Sequence, residues 1–287
     1  MTVEHRLRIG GRNVLLVEGP AGWGECSPLP RYPCTVDAAR AAAEEAATQG
    51  WPAPVRSMVP VNGLVPAAAS LDDEHACAAW LGYPSVKVKV GRGTPDEDVN
   101  RVARVRDLIG PTVGLRVDAN GAWDVETAVA TLTRLARYDL EFAEQPVASL
   151  SDLRAVRRDV AMPIAADECV RSVADAQRLH ATDAADVLVL KVQPLGGVRA
   201  ALAIADAAGV PAVVSSMYET SIGLAAGLAL AAALPALPFA CGLATLAEIA
   251  GDVTATPLQP RHGVLTIDAA FPPPPSSELL ARYAVAA

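Results

Sequence analysis

Apolar residues follow two different rhythms along the chain. Within residues 1–55, short β-prone runs surround Gly10–Gly11 and Gly19–Gly24 in RLRIGGRNVLLVEGPAGWGECSPLP, the spacing of a hairpin. VDAARAAAEEAATQG follows, a stretch of good helix formers closed by Gly50. After that, a strand–helix beat sets in. The β-branched or apolar runs are VPVNG (59–63), SVKVKV (85–90), VGLRVD (113–118), LEFAE (140–144), PIAAD (163–167), VLVLK (187–191), PAVVSS (211–216) and PFACG (238–242). Between them lie helical patterns such as DVETAVATLTRLARY and GGVRAALAIADAAG. Asp124 and Ser151 are the expected N-caps, and Gly209 is an expected stop.

Eight such units predict an α/β chain with a modified, TIM-like (β/α)8 barrel. An open doubly wound sheet expects a glycine-rich turn after its first strand, and Val61-Asn62-Gly63-Leu64 does not supply it. The expected organisation has three parts. Residues 1–55 form the N-terminal portion of a small α+β capping domain and 56–255 form the barrel. Residues 256–287, rich in proline at Pro257, Pro260 and Pro272–Pro275, form a tail that returns to the cap.

No charge appears from Ile222 to Ala244, a length that could suit a membrane span. Pro235 and Pro238 interrupt it, Ala and Gly dominate it, and no Lys or Arg flanks it. A buried helix, a turn and a strand are therefore expected. Aromatics are only 4% of the chain against 52% hydrophobic residues, so the core must be built from Ala, Val and Leu. The net charge of −8 argues against nucleic-acid and acidic-membrane partners. Cys26, Cys34, Cys77, Cys169 and Cys241 are odd in number and widely spaced, which speaks against a disulfide framework or structural zinc. The N-terminus lacks the order of a signal peptide, so a cytoplasmic protein is expected.

The polar residues ending six of the runs share one phase: Lys89, Asp118, Glu144, Asp167, Lys191 and Ser215, at separations of 23–29 residues. In a barrel that phase is the C-terminal mouth, where active sites lie. Asp118, Glu144 and Asp167 come from three consecutive strands. Carboxylates that close repel unless a cation lies among them, and an all-oxygen set selects a hard dication, Mg²⁺ above all. None of His5, His75, His180 and His262 ends a strand, which weakens zinc. Lys87 and Lys89, two apart, share one face of their strand, with Val86, Val88 and Val90 on the other. Lys191 ends a strand four further on, the opposite wall of an eight-stranded barrel. A dication among carboxylates, flanked by ammonium groups, suits removal of a proton next to a carboxylate.

The ordered set Lys87-Val88-Lys89, Asp118-Ala119-Asn120, Glu144-Gln145-Pro146, Ala166-Asp167-Glu168 and Leu190-Lys191 resembles the enolase superfamily, in its muconate-lactonising branch. That resemblance implies a barrel with an α+β cap, Mg²⁺ (with Mn²⁺ as a substitute) on Asp118, Glu144 and Asp167, and Lys89 and Lys191 as catalytic lysines. Further motifs narrow it: Gly22-Trp23-Gly24-Glu25-Cys26-Ser27-Pro28, Arg116, the run Ser215 to Gly223, and Gly242-Leu243-Ala244-Thr245. These resemble the branch members that dehydrate a succinyl-substituted hydroxycyclohexadiene carboxylate to an aromatic product in menaquinone biosynthesis. By that resemblance Lys89 is base and then acid. Lys87, Arg116, Asn120, Ser215, Ser216 and Gly242 bind substrate, and Pro28 to Tyr32 close the mouth. Pleat alternation lets only one of Asp167 and Glu168 point inward.

Two alternatives stand beside this reading. One is a racemase of N-succinylamino acids, or a dipeptide epimerase, from the same superfamily. The other is a non-catalytic, metal-dependent anion-binding barrel. The expected partner is a small-molecule carboxylate substrate, without nucleic acid or membrane, and a monomeric chain is compatible with it.

Overall fold

The computed structural model describes residues 1–71, 80, 82–268 and 271–285; His75 and Cys77 lie outside the described residues. The chain forms two compact units, one of residues 1–60, 190–204 and 214–287, the other of 61–189 and 205–213.

The first unit begins with an antiparallel meander of β1 (Val3–Ile9), β2 (Arg12–Gly19) and β3 (Gly22–Cys26). The expected hairpin is thus extended by a third strand. Gly10 and Gly11 both have positive φ, as a two-residue hairpin turn requires. One face of the meander buries Leu7, Ile9, Val14 and Leu16 against Ile222 and Val253, with Leu280 and Tyr283 packed on them. The other face packs Val17 and Cys26 on Ala39, Ala43 and Ala47 of α1 (Val36–Gln49). Small side chains permit that approach: a Cβ on Gly24 would fall 2.0 Å from the Ala43 carbonyl oxygen. Next comes β4 (Met58–Pro60).

The second unit holds β5 (Gly63–Val65), β6 (Ser85–Lys89), α2 (Pro95–Ile109), β7 (Gly114–Asp118), α3 (Val125–Leu135), β8 (Leu140–Glu144), α4 (Leu150–Asp159), β9 (Ile164–Ala166), α5 (Val173–Thr182) and β10 (Val187–Leu190). The chain continues with α6 (Val192–Leu195), α7 (Val198–Ala208), β11 (Ala212–Val214), α8 (Ser221–Ala233), β12 (Val264–Thr266) and α9 (Ser277–Tyr283). Strands β5 to β11 form one seven-stranded sheet in sequential order, and the pairings from β5 through β10 are parallel. Its strands are short and nearly all buried, as expected where helices cover a sheet.

Helix starts follow the capping rules. Thr94 and Glu97 make a reciprocal capping box, and Asp124 caps α3 as expected. The cap of α4 is Ser149, not Ser151: Ser149 has the extended backbone a cap needs, and its hydroxyl accepts from the Asp152 amide at 3.1 Å. Ser151 lies inside the helix. Gly209, with φ +62°, ends α7.

Two runs depart from the expected strands. Within 58–65, Met58–Pro60 pairs antiparallel with β12, and Gly63–Val65 is the segment that joins the sheet. Run 238–242 pairs through isolated bridges at Cys241 and Gly242 rather than as an extended strand. Gly242 donates to the Val214 carbonyl and Cys241 to the Pro60 carbonyl, both at 2.8 Å. Pro238 can donate no ladder hydrogen bond, which shortens the strand. All of α8 but Ser221 lies within Ile222–Ala244, and among the described residues no helix is long and apolar enough to cross a membrane. The tail returns to the meander, where Val285 donates to the Arg6 carbonyl and Ala284 bridges Leu7.

Candidate active site

The sheet register places the second unit's polar groups. Lys89 pairs with Asp118, and Asp118 with Glu144, as direct Cα partners across β6, β7 and β8. Lys89, Asp118 and Glu144 are the last residues of their strands, whereas Asp167 comes one residue after β9. All three carboxylates are buried: Asp118 is 0%, Glu144 2% and Asp167 1% exposed.

The two lysines of β6 occupy different depths. Lys87, 6% exposed, bridges two carboxylates: its Nζ lies 3.1 Å from Asp118 Oδ2 and 3.0 Å from Glu144 Oε1. Lys89 is nearer the mouth and reaches Asp118 Oδ2 at 2.5 Å and Asn120 Oδ1 at 2.8 Å. Burying like carboxylates is costly, and these ammonium groups offset the repulsion.

Gln145 orders the third carboxylate. It is fully buried, has left-handed φ (38°), and its Oε1 accepts from the Asp167 amide at 2.7 Å and from Cys169 Sγ at 3.3 Å. Asn120, also left-handed, donates its amide to Asp118 Oδ1 at 3.0 Å and its side-chain NH₂ to Glu168 Oε1 at 2.8 Å. Asp167 is buried while Glu168 is half-buried. Arg116 sits one pleat repeat below Asp118, 1% exposed. Its Nε donates to Glu141 at 2.6 Å, one terminal nitrogen donates to Asn62 at 3.3 Å, and its guanidinium lies 4.6 Å over the Phe142 ring. In this position Arg116 forms part of the floor beneath the carboxylates.

In the first unit, Lys191 follows β10 and is 7% exposed, with Tyr32 of the Pro28–Tyr32 loop stacked on its ammonium at 4.3 Å. Ser215 bridges Gly242, and the Ser216 amide donates to the Gly242 carbonyl at 3.1 Å. The Ser216 hydroxyl lies 2.7 Å from that of Thr245. These three residues therefore come together. With Val192, Glu219, Leu224 and Leu243, the two serines line a narrow gap too tight to hold a water.

Sequence reasoning missed a buried carboxylate pair in this unit. Glu25 accepts from the Ser27 hydroxyl (2.6 Å), the Thr220 hydroxyl (2.5 Å) and the Gly223 amide (3.0 Å) at the start of α8. Glu219 accepts from the Met217 amide at 2.5 Å. Burial pushes both carboxyls up, Glu219 to about 7, and the neighbouring Glu25 adds to that rise. Arg12 spends its guanidinium on the Tyr218 and Ser27 carbonyls. The available signal was a pair of acids inside otherwise weakly polar runs, GWGECSP and SSMYETS.

Asp118, Glu144 and Asp167 are an all-oxygen donor set from adjacent strands, the chemistry a hard dication requires. Among the described residues no three His, Cys, Asp or Glu side chains already stand at metal-holding spacing. In this arrangement the Lys87 and Lys89 ammonium groups supply the counter-charge.

This geometry can be compared with known proteins. The model of the enolase C-terminal domain-like family matches residues 72–271, and that of the enolase N-terminal domain-like family matches residues 1–47. The chain belongs to the enolase superfamily, whose members generally depend on Mg²⁺. Its curated relatives include the o-succinylbenzoate synthase of Thermobifida fusca, 54% identical over 259 residues, which span 89% of this chain and 81% of the relative. The o-succinylbenzoate synthase of Mycobacterium leprae is 43% identical over 94% of this chain and 81% of its own length. Among solved structures, muconate cycloisomerase from Pseudomonas fluorescens shares the fold, with a TM-score of 0.88, 22% identity and coverage of 100% of this chain and 98% of that one. The fold class is therefore the modified barrel with a capping domain.

Proposed function

We propose that this chain is an o-succinylbenzoate synthase. It dehydrates 2-succinyl-6-hydroxy-2,4-cyclohexadiene-1-carboxylate to 2-succinylbenzoate, a hydro-lyase step of menaquinone biosynthesis. The reading rests above all on the 54% identity to a synthase of that name, which extends over 89% of the chain.

Asp118, Glu144 and Asp167 are the residues that would hold Mg²⁺, or Mn²⁺ in its place. Bound there, the dication supplies positive charge to the substrate carboxylate as it gains negative charge on losing the α-proton. The ε-amine of Lys89 takes that proton. The resulting ammonium returns a proton to the departing hydroxyl on the same face, so that water leaves and the ring becomes aromatic. One lysine can serve both steps because a syn elimination presents both groups to one side. Lys191 supplies a fixed cation for the enediolate, and the Tyr32 ring restricts its motion. Ser215, Ser216 and Gly242 offer hydroxyl and backbone groups to the succinyl arm. Lys87 holds Asp118 and Glu144 in register, and Asn120 acts at the mouth. A cytoplasmic setting is part of this reading, since the odd-numbered, widely spaced cysteines suit no disulfide framework.

The test is aromatisation of the cyclohexadiene substrate, followed by absorbance, with and without Mg²⁺. Wild type should turn over, EDTA should abolish turnover, and Lys89→Ala and Lys191→Ala should be inactive. Exchange of the α-proton of an N-succinylamino acid in D₂O without aromatisation would overturn the reading in favour of a racemase. Binding of Mg²⁺ and ligand with no turnover of either substrate would favour a non-catalytic barrel.

A further inference from the structure

The polar chain at the mouth of the second unit continues beyond the proposed base. Lys89 Nζ donates to Asn120 Oδ1 at 2.8 Å, and Asn120 Nδ2 donates to Glu168 Oε1 at 2.8 Å. An amide has one accepting end and one donating end. At this exposed position Asn120 presents its oxygen to the ammonium and its NH₂ to Glu168, a pairing that favours one orientation of the amide. The backbone of Asn120 is fixed independently. Its amide is held by Asp118 Oδ1 at 3.0 Å and its φ is +48°, a region Asn tolerates better than most residues. The Gly121 amide is held by the Gln145 carbonyl at 2.7 Å. What the backbone leaves open is the direction of the Asn120 side-chain amide, which Glu168 orients from one end and Lys89 from the other.

Glu168 itself is built differently from a structural carboxylate. Its Oε2 is buried and has no hydrogen-bond partner among the described residues. Its two neighbours in sequence, Asp167 and Cys169, instead engage Gln145. Natural folds leave few buried acceptors unpaired, and those that persist tend to serve function. Among the described residues no ion pair to Glu168 is present, and its hydrogen bond to Asn120 is its principal engagement.

We propose that Glu168, acting through Asn120, is a positioning residue that fixes the amine of Lys89 for proton transfer. The inference rests on the synthase reading, since it takes Lys89 as the base. It assigns Asn120 to the lysine rather than primarily to the substrate. The other polar partner of Lys89 among the described residues is Asp118, at 2.5 Å, a carboxylate the dication would also claim. The Asn120 oxygen gives the amine a neutral second anchor that does not compete with the metal. Misplacing a reacting group by about 1 Å can cost on the order of 10²-fold in rate.

The experiment uses the full chain with Asn120→Ala, Glu168→Ala, Glu168→Gln and the double Ala variant, with circular dichroism and Tm to confirm folding. Turnover is followed by aromatisation, and Mg²⁺ affinity by calorimetry with the metal alone. Glu168→Ala and Asn120→Ala each should lower kcat about tenfold or more, with KM changed by less than about threefold and the Mg²⁺ Kd by less than about twofold. The double variant should fall no further than the worse single one, because both break one chain. Glu168→Gln, whose carbonyl still accepts from Asn120, should recover kcat to within about threefold of wild type. Unchanged kcat in the Ala variants, additive losses, or a Gln variant as poor as Ala would each overturn the proposal. A weakened Mg²⁺ Kd in Glu168→Gln would instead make Glu168 a metal ligand and likewise overturn it. If Lys89→Ala kept full turnover, it would be the synthase reading that failed.

Discussion

Lys87 spans two strands to hold Glu144: its Nζ lies 3.0 Å from Oε1 and 3.1 Å from Oε2, beneath Asp118 of the strand between them. Breaking a buried pair by removing one partner costs roughly 3–5 kcal/mol, because the other charge is left uncompensated. Lys87→Met should therefore lose about that much stability in EDTA. Saturating Mg²⁺ should restore part of it, since the dication replaces the missing charge. Urea denaturation in the two buffers measures the difference. An equal loss in both would separate Lys87 from the metal site.

Glu219 gives the chain a pH signature. Its folded pKa of about 7 lies above the ordinary carboxylate value, so the native state holds a proton that the unfolded state has released. Between the ordinary value and about 7, stability must fall as pH rises, and above that the loss is complete. The shift corresponds to about 3 kcal/mol. Glu219→Gln should therefore be markedly more stable relative to wild type at about pH 8 than at about pH 5. Equal pH slopes for the two proteins would show that Glu219 is ionised throughout.

Cys169 is an inert thiol despite standing next to Asp167-Glu168. Burial pushes it up to about 11, and its Sγ donates to Gln145 Oε1 at 3.3 Å. A serine hydroxyl fits the same space and donates to the same oxygen. Cys169→Ser should keep kcat and KM within about twofold. Iodoacetamide should fail to label Cys169 in the native protein near pH 7, as peptide mass mapping would show, because the thiolate is the reactive form.

Tyr32 restrains Lys191 by placing its ring 4.3 Å from the ammonium. Such a contact contributes about 0.5–2 kcal/mol. Tyr32→Leu should lower kcat several-fold, while Tyr32→Phe, which keeps the ring face, should remain near wild type. Steady-state turnover of the two variants tests this, and equal loss in both would shift the role to the hydroxyl.

Much of the architecture was legible because its signals are local. A βα unit announces itself through a short β-branched run and a capped helix. The phase of Lys89, Asp118 and Glu144 at the ends of β6, β7 and β8 follows from that beat. The cap of α4 was displaced from Ser151 to Ser149 because two serines stand near one helix start, and only backbone geometry chooses between them. Run 59–63 is divided in the fold because Pro60 and Gly63 serve different partners, β12 and β6.

What the chain's order of residues determined alone was the alternation of units, the types of side chain at each strand end and hence the class of chemistry. Tertiary structure decided which of those side chains touch. The bridging of Asp118 and Glu144 by Lys87, the seat of Asp167 on Gln145 and the burial of Glu25 with Glu219 all join residues distant in sequence or fix their depth. Periodicity along a strand specifies which way a residue faces, whereas a hydrogen bond depends on where another strand or loop is brought in space, and only the folded chain sets that distance.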